Sequence, residues 1–232
     1  MLGIKQHKFT EESGRMVSTT SPKAGPSVPS TIDSRTSSAS TSRLVHVLAA
    51  AIPVLWIVAA LMHPQDQTTA NNGTWLAVHI AQLALAPLLG IFIWLLLRPL
   101  QGTAASVGRI AIVLWIALFS AFDAIAGIAT GVLIDGGFQD ASTYLFEHQT
   151  FGGGFSVLGS VAHPMWIVVA ISCALALRIN RARTSAWVAM LASVLFALHA
   201  GPFAAVGLAA LAFAVWSAMT RAGRPDRQQQ LA

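Results

Sequence analysis

From residue 44 onward the chain alternates long apolar runs with short polar connectors. Four runs stand apart cleanly: 44–62, "LVHVLAAAIPVLWIVAALM", then 75–97, 110–134 and 156–177. At 1.5 Å of rise per residue, about 20 residues cross a hydrocarbon core of about 30 Å, so each run predicts one transmembrane helix. The last run, 185–220, is too long for one straight span and carries "ALHAGPFAAVG" at its middle. Gly201-Pro202 interrupts the helical hydrogen-bond ladder, which predicts two shorter helices, 185–199 and 203–220, joined by a hairpin at His199 to Phe203. The fold class that follows is all-α: six transmembrane helices in three outward hairpins, spanning 44–220. Residues 1–43 are rich in Ser, Thr and Pro and nearly devoid of large apolar side chains after Val17. Such a segment cannot offset its ordering entropy by burial and is expected to be a disordered tail.

Composition leads to the same class. Hydrophobic residues make up 55% of the 232 and charged residues 10%, whereas soluble domains carry about 25% charged. The surrounding partner is therefore a lipid bilayer. The net charge of +5 does not indicate nucleic acid, because the basic residues fall in the tails and connectors and form no patch on a folded surface. Their placement instead sets topology. Arg98 and Arg109 flank the second connector, Arg178, Arg181 and Arg183 the fourth, and Arg221, Arg224 and Arg227 mark the C-terminal tail, 221–232. The first and third connectors contain no Lys or Arg. Basic loops stay in the cytoplasm, so both termini and the even connectors are expected inside a plasma (cytoplasmic) membrane, in bacterial terms an inner membrane. Only an even number of spans satisfies every one of these charges. Cys173, the sole cysteine, leaves no intramolecular disulfide, CxxC motif or thiolate cage.

Topology then places the polar residues by depth. His63 ends the first span on its outer side, His199 sits in the last outward hairpin, and His148 is in the third connector. Counting from the outer helix ends, His79 lies about 6 Å deep, His163 about 10 Å and Asp123 about 16 Å. Helical period tests facing, since residues three and four apart share a face. Asp123 shares a stripe with Ser120, Gly127, Thr130 and Gly131, and Gly127-x-x-x-Gly131 is a small-residue surface for another helix, in the same chain, a homo-oligomer or a membrane partner. His163 aligns with Ser156 and Ser160, and His79 with Trp75, Gln82 and Ala86. Three helices thus turn polar stripes inward. No Lys or Arg in the outer half is available to Asp123, so its partner is a histidine, hydroxyl, backbone group, water or bound cation, or it is protonated.

These residues admit several chemistries. Zinc or copper would take His79, His163 and a third ligand from His63, His199 or Asp123. Haem would use His79 and His163 as axial ligands, although no outer Arg or Lys waits for its propionates. Asp123 with His163 would instead bind a proton or ion in a small transporter or proton-coupled carrier, with Pro53, Pro87, Pro164 and Gly201-Pro202 bending the spans around it. A non-catalytic membrane subunit or scaffold needs only the glycine face and the tail. Plainer readings stand beside each: His79 as an interfacial imidazole near Trp75, His63 and His199 as solvated turn residues, Asp123 as a hydrogen-bonded packing residue. In the third connector, "STYLFEHQTF" predicts a short amphipathic helix, and Gly152-Gly153-Gly154 a flexible joint. No reaction is legible.

The topology is tested by cysteine accessibility in a Cys173→Ser background. Thr68→Cys, in the first connector, is expected to react with an impermeant maleimide on intact cells, and Gln101→Cys, in the second, only after lysis.

Overall fold

The computed structural model describes Val47, residues 51–64 and residues 73–222, with side chains through Met219. The expected tail 1–43 and most of the first connector lie outside the described residues, as does the expected tail 221–232 apart from Arg221 and Ala222, which end the last helix.

The described residues are helical, without strands. The apolar helix Ala51–Met62 (α1) is followed by Thr74–Leu97 (α2) and Thr103–Phe122 (α3). The third helix runs on through a π-helical segment, Asp123–Ala129, into Thr130–Asp135 (α4). Then come Gln139–Phe146 (α5), Val157–Ile179 (α6), Thr184–Ala192 (α7) with a 3₁₀ extension Ser193–Leu198, and Gly201–Ala222 (α8). Four helices are long and apolar enough to cross a membrane: Thr74–Leu97, Thr103–Asp135, Val157–Ile179 and Gly201–Met219. Ala51–Met62 and Thr184–Leu198 are apolar but shorter. Large side chains such as Leu55, Val58, Ile91, Ile110, Val113 and Phe213 are exposed on these helices, which fits contact with lipid and would be anomalous in water.

Helix boundaries follow local chemistry. Ser156 caps α6, its Oγ accepting from Gly159 N at 3.0 Å, as a helix N-terminus favours. Gly102, at φ 98°, starts α3 seven residues before the apolar run begins. Arg109 therefore lies inside a helix and does not flank one. Its guanidinium reaches back to donate to the carbonyls of Leu97 (3.2 Å) and Leu100 (3.4 Å) at the end of α2, a side chain extending from apolar surroundings to polar groups. Helices α2 and α6 continue through Pro87 and Pro164, and α1 through Pro53, so these prolines end no helix. The break in the last apolar run does occur. It lies at His199 and Ala200, with His199 left-handed (φ 58°) and α8 beginning at Gly201.

The core is aromatic. Trp56, Trp115, Trp166, Phe119 and Phe196 are almost fully buried and touch across four elements. Trp56 meets Phe196 edge-on at 4.9 Å, Trp115 meets Trp166 at 5.0 Å, and Trp166 meets Phe196 at 4.9 Å. Trp166 Nε1 donates to the Ser193 carbonyl at 2.8 Å, fixing the 3₁₀ turn against α6. Helices α2 and α3 through α4 run antiparallel in close register: Gly90 abuts Ile116, Gly127 abuts His79, and Gly131 abuts Trp75 and Leu76. The glycine stripe is thus filled by α2 of the same chain.

The predicted connector helix is present as α5, beginning three residues earlier than "STYLFEHQTF" and ending at Phe146. The triglycine segment is a packed turn and not a loose joint. A Cβ at Gly152 would overlap the Phe146 carbonyl, and one at Gly159 would lie 2.8 Å from the carbonyls of Gly153 and Gly154. The connector backbone rests on the start of α6.

Gly207 on α8 faces the backbone of the 3₁₀ segment, where a Cβ would overlap Phe196 N and lie 2.9 Å from Leu195 C. Backbone cannot swing aside as a side chain can. Gly207→Ala is expected to destabilise the bundle by about 1–3 kcal/mol, read as a lowered thermal midpoint in detergent.

Candidate functional site: a buried histidine cluster

Four histidines from four parts of the chain meet at one end of the bundle. His63 follows α1, His79 is on the second turn of α2, His163 on the second turn of α6, and His199 occupies the break before α8. The His63 ring lies 4.8 Å from both the His79 and His199 rings, and the His163 ring 5.0 Å from that of His199. One ligand nitrogen each from His63, His79 and His199 can be chosen so that all lie within 4.8 Å of one another.

The ring orientations are set by backbone carbonyls. His79 Nδ1 is 2.7 Å from the Trp75 carbonyl, His163 Nδ1 2.9 Å from that of Gly159, and His63 Nδ1 2.6 Å from that of Pro64. A carbonyl accepts only, so Nδ1 carries the proton in each and Nε2 keeps its lone pair. For His79 and His163 the accepting carbonyl is four residues back on the same helix, a geometry that requires the ring to fold along its own helix. The Nε2 atoms of His63 and His79 then face each other at 3.3 Å. The Nε2 atoms of His163 and His199 are buried without a hydrogen-bond partner among the described residues.

Aromatic rings wall the cluster. Trp75 packs against His79 at 4.7 Å and His63 at 5.5 Å. Phe122 stands edge-on to His163 at 4.7 Å, and Phe119 lies 5.8 Å from His199. Beneath, the π-helical segment brings Gly127 against the His79 ring and presents its carbonyl to Trp75 Nε1 at 2.9 Å. Asp123 and Gln82 are fully buried, and all four polar side-chain atoms of the pair lack a hydrogen-bond partner.

His63 and His199 lie outside the spanning helices, and both hold their protons less tightly than ordinary imidazole. Burial is the larger cause for His63, partly offset by its bond to the Pro64 carbonyl. Burial again leads for His199, reinforced by His63, His163 and His79, and pushes it well below the usual range.

The four histidines that the sequence put toward one end do meet there, but a plainer role was expected for three. His79 is 2% exposed and His63 8%, so neither is an interfacial or solvated turn residue. His199 has its Nε2 buried and is no solvated turn residue either. His148 stays out of the cluster on an exposed connector, stacked on Phe151 at 5.6 Å. Asp123 faces the bundle as its stripe required, yet no hydroxyl, amide or imidazole pairs with it. Sequence reasoning did not anticipate the π-helix, the Phe119 and Phe122 wall, or the carbonyls that fix the tautomers. The small residues of "DAIAGIA" were the only hint of an irregular helix.

The chain matches no known protein family, no curated protein and no solved structure.

Because His63 and His199 accept protons less readily folded than unfolded, stability is complete above about pH 6.5 and is lost as pH falls toward their lowered values. With chelator present, the thermal midpoint in detergent is expected to drop between pH 7.5 and 5, and His199→Gln to flatten that slope.

Proposed function

We propose that this is a six-span plasma-membrane protein that holds a d-block metal ion, zinc or copper, in the histidine cluster at the outer end of its bundle. The observation that carries the reading is the 3.3 Å separation of the His63 and His79 Nε2 atoms, each with its Nδ1 proton committed to a carbonyl. Two lone pairs facing at that distance repel unless a cation lies between them. Tetrahedral zinc with Zn–N bonds of 2.0–2.1 Å holds neighbouring nitrogens about 3.3 Å apart. His199 supplies the third nitrogen, and His163, its ring 5.0 Å from that of His199, stands beside the three with its Nε2 unpartnered among the described residues. Nδ1 donating to a carbonyl while Nε2 takes the metal is the usual arrangement around a metal-bound histidine. A proton shared between His63 and His79 would also relieve the repulsion, and metal content separates the two.

The site's placement supports the topology. The cluster gathers the end of α1, the start of α2, the start of α6 and the turn between α7 and α8. At the opposite end, Asn180 Nδ2 donates to the Gln101 carbonyl at 3.2 Å and Arg178 lies over Trp187 at 5.5 Å. The second and fourth connectors, with their arginines, therefore share the end away from the histidines, as both tails inside and three outward hairpins require. Haem fits less well, because His63 and His199 pack within about 5 Å of their neighbours and leave no gap for a porphyrin between axial ligands. A carrier reading keeps one specific observation in its favour, the unpartnered Asp123 in a π-helical segment, since such segments accompany functional sites. The scaffold reading loses its distinctive feature, as Gly127 and Gly131 are occupied within the chain.

Metal content decides. After stripping and reloading with zinc or copper, the purified protein is expected to retain about one ion per chain. His79→Ala and His199→Ala should each weaken binding at least tenfold, and His148→Ala should leave it unchanged. A wild-type protein that retains no metal would overturn the reading.

A further inference from the structure

The histidine cluster is made of neutral ligands. A divalent ion bound there keeps its full double charge inside an apolar, aromatic wall, a costly arrangement unless an anion stands close. One buried carboxylate lies on the helix face that touches the cluster. Phe122, the residue before Asp123, meets the His163 ring at 4.7 Å and the His199 ring at 6.0 Å. Gly127, one turn beyond Asp123, abuts the His79 ring. Asp123 is therefore held between two points of contact with the cluster, and both its oxygens are buried without a partner.

Gln82 belongs to the same arrangement. Helix α2 runs antiparallel to the third helix with Leu76 beside Gly131, His79 beside Gly127 and Gly90 beside Ile116. That register brings Gln82 and Leu83 to the level of Asp123. Gln82 shares the buried face of His79 three residues on, is 0% exposed, and has its amide nitrogen and oxygen unpaired. Among the described residues, Asp123 is the buried carboxylate beside the cluster, and neither its oxygens nor the Gln82 amide has a hydrogen-bond partner.

We infer that Asp123 is the counter-charge of the metal site and makes it selective for divalent over monovalent cations. It acts through space and is not a ligand. The inference rests on the metal-site reading. It also gives the two unpartnered carboxylate oxygens of Asp123 a role.

The test compares Zn²⁺ and Ag⁺ binding to purified wild type and Asp123→Asn, with helicity and gel-filtration profile confirming the fold. Coulomb energy scales with the charge of the cation. The substitution is therefore expected to weaken Zn²⁺ at least tenfold, with a logarithmic loss about twice that for Ag⁺. Equal losses for the two ions would mean a structural defect and overturn the inference, as would no loss for either. Asp123→Ser gives the same comparison if Asp123→Asn does not fold. Wild-type protein that binds neither ion overturns the metal reading and this inference together. Zn²⁺ binding that survives loss of the carboxylate overturns this inference alone.

Discussion

Everything at the histidine end of this bundle follows from the cost of burying imidazoles among aromatic rings and apolar helices. A polar group in such surroundings must be paired or it subtracts from stability. Three of the four histidines meet half of that demand with a backbone carbonyl for Nδ1: Trp75 for His79, Gly159 for His163 and Pro64 for His63. The carbonyl does not satisfy the Nε2 of His163, which like that of His199 is buried without a partner among the described residues. The same bonds that fix the rings turn the Nε2 atoms of His63 and His79 toward each other, the geometry on which the proposed metal site rests. Glycines at 127 and 159 make the approach possible, the first by leaving room for the His79 ring, the second by letting the connector backbone rest on α6.

Much of this was legible in the amino-acid sequence, for physical reasons that can be named. Run length and apolar content identified the helices, because a lipid-facing helix has no alternative way to satisfy its backbone. The break at His199 was legible from Gly201-Pro202, and the inward stripe of Asp123, Gly127 and Gly131 from helical period. The start of α3 was missed by seven residues because Arg109 looked like a boundary. A long basic side chain can be helical and still find polar groups, here the carbonyls closing α2.

The cluster was only half legible. Depth along each helix separated His79, His163 and Asp123, and that separation suggested groups at different levels. Ring packing removed the difference, with Phe122 reaching His163 and Gly127 reaching His79 from one continuous helix. A single sequence carries no signal for the π-helical register that permits this, nor for which carbonyl an imidazole will choose. Turn histidines beside prolines are usually solvated. His63 and His199 are exceptions because their rings pack against each other and against Trp75 and Phe119.

The most direct test of the central claim is X-ray absorption at the zinc edge of the loaded, purified protein. A first shell of imidazole nitrogen at about 2.0–2.1 Å, with the outer-shell scattering of histidine rings, is predicted. A first shell of oxygen alone, or of sulfur, would contradict it.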